Sequence, residues 1–230
     1  MTKIVAISDT HLTPDTSEVE LWKSFARWCT KNRPQYILHL GDVSDFTSCV
    51  WLKKDRGSHT TSEEIASVST HLEAFEKVLD DYNKGRRAGH RKQYKPMKLL
   101  CVGNHDKRTE ESERAVKKIF TDHEWEICEY QEPVIIDDIM FSHNTFKDSM
   151  TSKELLENYH CSCVVGHSHI REYAESYNPV LGERIYAIKC PMFTNAELEW
   201  AKLANESWSR GFTVIETDPF SFTWKELTCL

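Results

Sequence analysis

The sequence predicts an α/β fold in which two β-sheets pack face to face and helices cover their outer sides. Two observations predict this fold class. Up to residue 124, apolar runs of strand length alternate with segments whose apolar residues recur every three or four positions, as in βα units. Beyond that point the apolar runs become shorter and more closely spaced, which indicates a strand-rich second half. We expect residues 1–230 to form one domain, because no stretch has the composition of a linker.

The first half is predicted to contain three strands and three helices in alternation. The strands lie at 4–7, 36–40 and 98–102, and the helices at 18–31, 62–82 and 109–120. In the first helix Trp22, Phe25 and Cys29 share one apolar face, and Pro34 ends it. The segment 84–98, called the basic segment below, contains seven Lys and Arg residues and no acid. We expect this segment to be a solvated loop.

The second half is predicted to contain seven short strands and two helices. The strands lie at 125–130, 134–136, 139–142, 163–165, 185–188, 212–216 and 220–224. The helices lie at 152–160 and 195–205.

Composition excludes several classes of protein. With 40% hydrophobic and 28% charged residues the chain is predicted to be globular. No apolar run is long enough to cross a bilayer, and strand-like sequence follows residue 3 directly, so we expect a cytoplasmic protein. The formal charge of −7 argues against a protein that mainly grips duplex DNA. Eight cysteines without a CxxC motif are expected to be reduced core thiols.

Five polar motifs lie at or just after the ends of predicted strands, where α/β sheets present their sites. They are DTH (9–11), GD (41–42), GNHD (103–106), SH (142–143) and GHSH (166–169). Together they supply seven side chains suited to metal binding: Asp9, His11, Asp42, Asn104, His143, His167 and His169. This mixed nitrogen and oxygen set, without thiolate, suits Mn, Fe or Zn better than Mg or Ca. A carboxylate can bridge two cations, which an imidazole cannot, so one of the two Asp residues is expected to lie between two metal ions.

Two metal ions about 3.5 to 4 Å apart lower the pKa of a bridging water and stabilise both the attacking and the leaving oxygen at phosphorus. The ligand set therefore predicts phosphate ester hydrolysis by in-line attack of a metal-bridging hydroxide. His105 can act as the general acid, and a carboxylate has to orient its ring. Asp45 and Asp106 are the two candidates for that carboxylate.

The ordered set DTH, GDVSD, GNHD, SH and GHSH resembles the motifs of the calcineurin-like metallophosphoesterase superfamily. The resemblance implies a four-layer αββα sandwich and two divalent metal ions, with manganese expected and iron, zinc, nickel or cobalt as alternatives. It implies that Asp9, His11 and His169 bind one ion. It implies that Asn104, His143 and His167 bind the other, and that Asp42 bridges them. By the GDxxD element, it also implies that Asp45, rather than Asp106, pairs with His105.

The substrate is left open by the sequence. We expect a phosphomonoester or phosphodiester, with a nucleotide as one candidate, and Arg108, His59 and Trp51 as candidate substrate contacts. The alternative is a nuclease or nucleic-acid phosphatase that resembles the SbcD nucleases and binds nucleic acid through the basic segment. A non-catalytic scaffold is a third reading, disfavoured because every ligand position is filled. Protein phosphatase activity is disfavoured because Phe46 stands where those enzymes have Arg.

Overall fold

The structure is a computed structural model that describes residues 1–15, 18–49, 59–144, 150–198 and 206–230. Two β-sheets and four α-helices make up its regular structure. The strands are β1 (Lys3–Ile7), β2 (Tyr36–His39), β3 (Met97–Cys101), β4 (Glu126–Cys128), β5 (Val134–Ile136), β6 (Ile139–Ser142), β7 (Ser162–Val165), β8 (Glu172–Asn178), β9 (Glu183–Lys189), β10 (Phe212–Thr217) and β11 (Phe220–Lys225). The helices are α1 (Val19–Asn32), α2 (Thr61–Ala88), α3 (Glu110–Asp122) and α4 (Ser152–Tyr159).

Sheet 1 has six strands in the order β11-β10-β1-β2-β3-β4. Strands β1 to β4 run parallel, and β10 and β11 complete the sheet as antiparallel neighbours. Sheet 2 has the order β5-β6-β7-β9-β8, with β6, β7 and β9 parallel. Because the carboxyl ends of parallel strands share one edge, the loops after β1, β2 and β3 leave sheet 1 side by side, and those after β6 and β7 do so in sheet 2.

Side-chain alternation along the strands produces the layers. In β1, Ile4 and Ala6 pack into the core between the sheets, whereas Val5 and Ile7 pack against helices. The core between the sheets also contains Leu38, Leu99, Phe141, Val164 and Ile188. Helices α1, α2 and α3 cover sheet 1 through residues that include Phe25, Phe75 and Phe120, and α4 covers sheet 2 through Leu155 and Leu156. The order helix, sheet, sheet, helix confirms the predicted four-layer αββα sandwich.

Helix α2 is longer than predicted and changes the expectation for the basic segment. The helix begins with a capping box, in which Thr60 accepts from the Glu63 backbone N–H and the Glu63 carboxylate accepts from that of Thr60. The helix continues to Ala88 because Asn83 is held by Tyr94, through bonds of 2.8 Å in both directions. Residues 84–88 are therefore helical, so the prediction of a loop over the whole basic segment was wrong. The polar residues after 82 carry no apolar periodicity that could have indicated this.

Two further elements differ from expectation. Strand β8 was not predicted, because it is a sheet edge whose side chains are mostly exposed and lack apolar alternation. The predicted helix at 195–205 is absent over 195–198, and residues 199–205 lie outside the described part of the chain. The backbone N–H groups of Asn195 and Ala196 bind the side chains of Glu18 and Thr194 instead. Among the helices that the structure describes, none is long and apolar enough to span a membrane.

Candidate metal centre

The five motifs meet at the edge where the parallel strands of both sheets end. Their loops turn through an unusual backbone conformation, because five residues other than Gly adopt a positive φ. These are Asp9 (53°), His11 (45°), Asp42 (52°), His167 (66°) and His169 (58°). Each such residue costs roughly 1–2 kcal/mol relative to a right-handed conformation. All five are predicted metal ligands, and backbone strain of this kind concentrates at functional sites.

Two glycines allow these loops to approach one another closely. A Cβ atom on Gly103 would lie 2.2 Å from both the backbone N and Oδ1 of Asp42. A Cβ atom on Gly166 would lie 2.0 Å from Oγ of Ser8. The loop after β3 therefore packs directly on Asp42, and the loop after β7 packs on the residues that follow β1.

The first group of side chains combines Asp9, His11 and His169, whose ligand atoms lie within 4.8 Å of one another. The Nε2 atoms of His11 and His169 are 3.0 Å apart, and Nε2 of His169 is 3.3 Å from Oδ1 of Asp9. The other carboxylate oxygen of Asp9 accepts from Ser8 Oγ and from the His167 backbone N–H. Oδ1 is buried and makes no hydrogen bond within the described residues. Because an unsatisfied buried carboxylate oxygen is costly, its position suits a cation.

The second group combines Asp42, His143 and His167. Nε2 of His143 is 3.3 Å from Oδ2 of Asp42, 2.9 Å from Oδ1 of Asn104 and 3.3 Å from Nδ1 of His167. Nδ1 of His143 lies 2.6 Å from the carbonyl oxygen of Leu40, to which it donates. In the neutral ring Nε2 then carries a lone pair that points at two oxygen acceptors. A cation held among these atoms satisfies all of them, so the donor set fits a metal ion.

Asp42 lies between the two groups. A third set of ligand atoms within 4.8 Å consists of His11, Asp42 and His105, which links the first group to the second. Oδ1 of Asp42 accepts from the backbone N–H of His105 at 2.8 Å. Its Oδ2 faces His143 at 3.3 Å and Nε2 of His105 at 3.9 Å. Asp42, a member of the second group, thus also has a ligand atom of His11 in the first group within 4.8 Å.

The electrostatics of the site are those of a cation site. Burial alone raises the pKa of Asp9 and of Asp42, but the neighbouring histidines, His169 for Asp9 and His143 for Asp42, hold both values well below the usual range. Burial lowers the pKa of His143, but the charge and hydrogen bond of Asp42, together with the Asp9 charge and the bond to the Leu40 carbonyl oxygen, outweigh this and raise that pKa to about 9. In the absence of an ion, the second proton of His143 therefore lies on Nε2 and faces Asp42, and a divalent cation would replace that proton.

His105 lies beside Asp45, as the GDxxD resemblance implies. Its Nδ1 is 3.2 Å from the carbonyl oxygen and 3.4 Å from Oδ1 of Asp45. The same Oδ1 lies 2.7 Å from Nδ1 of His11, a contact that the sequence did not indicate. Asp106 has another role, because its carboxylate accepts backbone N–H bonds of 2.8 to 3.0 Å from Gly103, Asp42 and Val43. It therefore fixes the loops rather than His105.

The predicted substrate contacts differ in their placement. Arg108 donates from Nη1 to the Asp45 carbonyl oxygen at 2.6 Å, and its Nη2 is 3.3 Å from Nε2 of His105. Within the described residues, the polar partner of the His59 ring is Asp15 at 2.7 Å, not a predicted metal ligand. Trp51 lies outside the described residues. Of the two that the structure describes, only Arg108 lies at the metal centre.

Two aromatic residues near the site were missed. The Trp208 ring packs edge-on against His169, with 4.2 Å between centroids. Tyr130 accepts from the Asn144 amide at 3.2 Å and lies under the Lys107 ammonium, 5.3 Å from its ring centroid. Neither aromatic residue belongs to one of the five motifs, and no pattern in the sequence connects either of them with the metal centre.

The basic segment lies away from the metal centre. It ends in the first residues of β3, whereas GNHD follows the carboxyl end of that strand. A five-residue strand spans about 15 Å, which separates the two. Several of its cations are already paired: Lys98 lies 2.9 Å from Glu76, and Lys84 lies 3.1 Å from Asp81. The end of the basic segment that enters β3 therefore lies at the opposite end of that strand from the metal centre. The nuclease alternative stays a prediction. Phe46, which stands where the protein phosphatases have Arg, is fully buried in the core between sheet 1 and its helices.

Among curated proteins no sequence matches. Solved structures with similar folds include YfcE, a phosphoesterase from E. coli, at 12% identity and a TM-score of 0.48, covering 99% of this chain and 94% of that one. They also include the Pseudomonas putida nuclease MPE, at 11% identity and a TM-score of 0.42, covering 96% and 87%. The family model for calcineurin-like phosphoesterases matches residues 2–181. The chain belongs to the calcineurin-like phosphoesterase family.

Proposed function

We propose that this protein hydrolyses a phosphomonoester or phosphodiester and that it uses two divalent metal ions to do so. Manganese is the metal we propose for both positions. One observation carries the proposal. The ligand atoms of each group converge within 4.8 Å of one another, and the first group contains a buried Asp9 oxygen that makes no hydrogen bond within the described residues. Family membership supports phosphate esters as the substrate class.

The ligands divide between the two ions as their contacts suggest. Asp9, His11 and His169 would hold one ion, and Asn104, His143 and His167 would hold the other. Asp42 would be shared by both. When bound, such a pair of ions supplies Lewis acidity at phosphorus and a nucleophile at neutral pH.

His105 is the general acid in this proposal. Nδ1 is the ring nitrogen that contacts Asp45, and Nε2 is the other one. Nε2 gives its proton to the leaving oxygen. Asp45 orients the ring through Nδ1, by the contacts at 3.2 and 3.4 Å. A carboxylate in this position also stabilises the protonated ring before the proton is transferred.

Arg108 is proposed to bind a phosphate oxygen. Its guanidinium is anchored to the Asp45 carbonyl oxygen through Nη1, while Nη2 donates to Nε2 of His105 at 3.3 Å, a contact it would give up when Nε2 carries the proton for the leaving oxygen. A guanidinium that is held at one end binds an anion with little loss of side-chain entropy. Arg108 thus places positive charge next to the acid.

Hydrolysis of two chromogenic esters tests the proposal. We expect Mn²⁺-dependent release of p-nitrophenol from p-nitrophenyl phosphate or from its bis ester, and the preferred ester assigns monoesterase or diesterase activity. The variant Asp42→Asn should lose turnover, whereas Asp122→Asn, at an exposed carboxylate on α3, should keep it. The absence of turnover of either ester by the Mn²⁺-loaded protein would refute the proposal.

A further inference from the structure

His39 is a fully buried histidine at the end of β2 with no part in the proposed chemistry. Its ring stacks near Trp22, with 6.1 Å between centroids, and meets the Phe120 ring edge-on at 5.9 Å. These neighbours are apolar, and so is Ile37, the residue of β2 that packs into the same core. An aliphatic or aromatic residue would fill this position without the cost of burying two ring nitrogens.

Hydrogen bonds fix the tautomer of the His39 ring. The Gly41 backbone N–H donates to Nδ1 at 3.1 Å, so Nδ1 is an acceptor and the proton lies on Nε2. Nε2 therefore donates to Oγ1 of Thr10, at 3.1 Å. The Thr10 hydroxyl in turn donates to the carbonyl oxygen of Val43 at 2.8 Å. The same hydroxyl also has the carbonyl oxygen of Asp42 within 3.5 Å.

The chain of hydrogen bonds joins the two loops that carry three proposed ligands. Thr10 lies between Asp9 and His11, and both of these have a positive φ. The other loop has Gly41 at a φ of 90° and Asp42 at 52°. Strained backbone persists only where surrounding contacts fix it, and the His39 ring makes a contact with each loop.

We propose that His39 is a positioning residue that fixes the relative placement of the Asp9–His11 loop and Asp42, and thereby sets the affinity of the centre for divalent ions. The inference rests on the proposed metal-dependent function. Outer residues that orient metal ligands typically account for 10- to 100-fold in affinity or activity, so an effect of about that size is expected.

If His39 only packed the core, its substitution would have a different effect from the one proposed. His71 serves as the matched control. The His71 ring also contacts Trp22, with 6.2 Å between centroids, and is also buried. Its Nδ1 donates to the Ser67 carbonyl oxygen within α2, at 2.7 Å. If His39 only fills space, His39→Phe and His71→Phe should both change the melting temperature and leave metal affinity unchanged.

The test measures Mn²⁺ affinity by titration calorimetry, together with the electron paramagnetic resonance spectrum of bound manganese and the melting temperature. We expect His39→Phe to weaken Mn²⁺ binding by roughly 10- to 100-fold, and His71→Phe to leave it unchanged. Thr10→Val removes only the hydroxyl link and should weaken binding in the same direction. Thr10→Ser keeps the hydroxyl and should restore most of the affinity, which keeps the test decisive if His39→Phe does not fold.

The outcomes separate this inference from the proposed function. Wild-type protein that binds no Mn²⁺ would overturn the proposed function and, with it, this inference. Wild-type binding of two ions together with unchanged affinity in His39→Phe and in Thr10→Val would overturn the role of His39 alone.

Discussion

Gly103→Ala is expected to damage the centre through one added methyl group. The new Cβ would lie 2.2 Å from the backbone N and from Oδ1 of Asp42, and 3.0 Å from its Cα. Ordinary contacts of a Cβ atom begin near 3.4 Å. Residue 103 and Asp42 therefore have to separate by about 1 Å. The backbone cannot yield freely, because the N–H groups of both residues donate to the Asp106 carboxylate, at 2.8 and 3.0 Å.

The expected magnitudes follow from this displacement. Overpacking of a tight site costs about 1–3 kcal/mol of stability. For a domain of this size each kcal/mol lowers the melting temperature by about 2–4 °C. A displacement of about 1 Å at a catalytic group costs on the order of 100-fold in rate. Mn²⁺ affinity should fall as well, because Asp42 is shared by both proposed ions.

Gly85→Ala is the matched control. Gly85 lies in α2, and no atom lies within 4 Å of the position that its Cβ would take. Alanine is favoured over glycine in a helix by about 1 kcal/mol, so this variant should melt slightly higher and hydrolyse bis-p-nitrophenyl phosphate at the wild-type rate. The melting temperature, Mn²⁺ titration and turnover are measured for both variants. Wild-type affinity and turnover in Gly103→Ala would refute the packing of the GNHD loop on Asp42.

Three further predictions concern the metal, the acid and the phosphate contact. Mn²⁺ at 100 times its dissociation constant should stabilise the protein by about 2.7 kcal/mol, measured as a higher melting temperature that chelation reverses; an unchanged melting temperature would contradict metal binding. His105→Asn should lower kcat by about 100-fold or more with Mn²⁺ affinity retained, and wild-type kcat would remove the acid role. Arg108→Ala should raise KM for the ester, whereas Lys118→Ala, at an exposed ion pair on α3, should not; equal KM values in the two variants would exclude the phosphate contact.

The convergence of the motifs can be predicted from the sequence because it follows from strand order, whereas the metal ligands among them stay a prediction. Motifs at the carboxyl ends of parallel strands must meet at one edge, so the convergence of Asp9, Asp42 and Asn104 could be inferred from apolar runs and the residues that follow them. The spacing along the chain could not show which acid lies beside His105. The answer depends on the Asp106 carboxylate, which is occupied by three backbone N–H groups and so fixes loops.

The remaining differences arise from contacts that have no local pattern. The last residues of α2 are held by the bonds between Asn83 and Tyr94, which are distant in sequence. Strand β8 is paired on one side only, so its side chains need no alternation. His39 reads as an ordinary packed residue in the sequence, and only its two hydrogen-bond partners connect it with the metal centre. Long-range contacts of this kind are fixed by the fold and not by neighbouring residues.

The most direct test of the two-ion centre is a crystal structure of the Mn²⁺-loaded protein with anomalous scattering data collected at the manganese edge. Two anomalous peaks are expected, one bounded by Asp9, His11 and His169 and the other by Asn104, His143 and His167, with Asp42 in contact with both. A single peak, or peaks that Asp42 does not contact, would contradict the proposed two-ion centre.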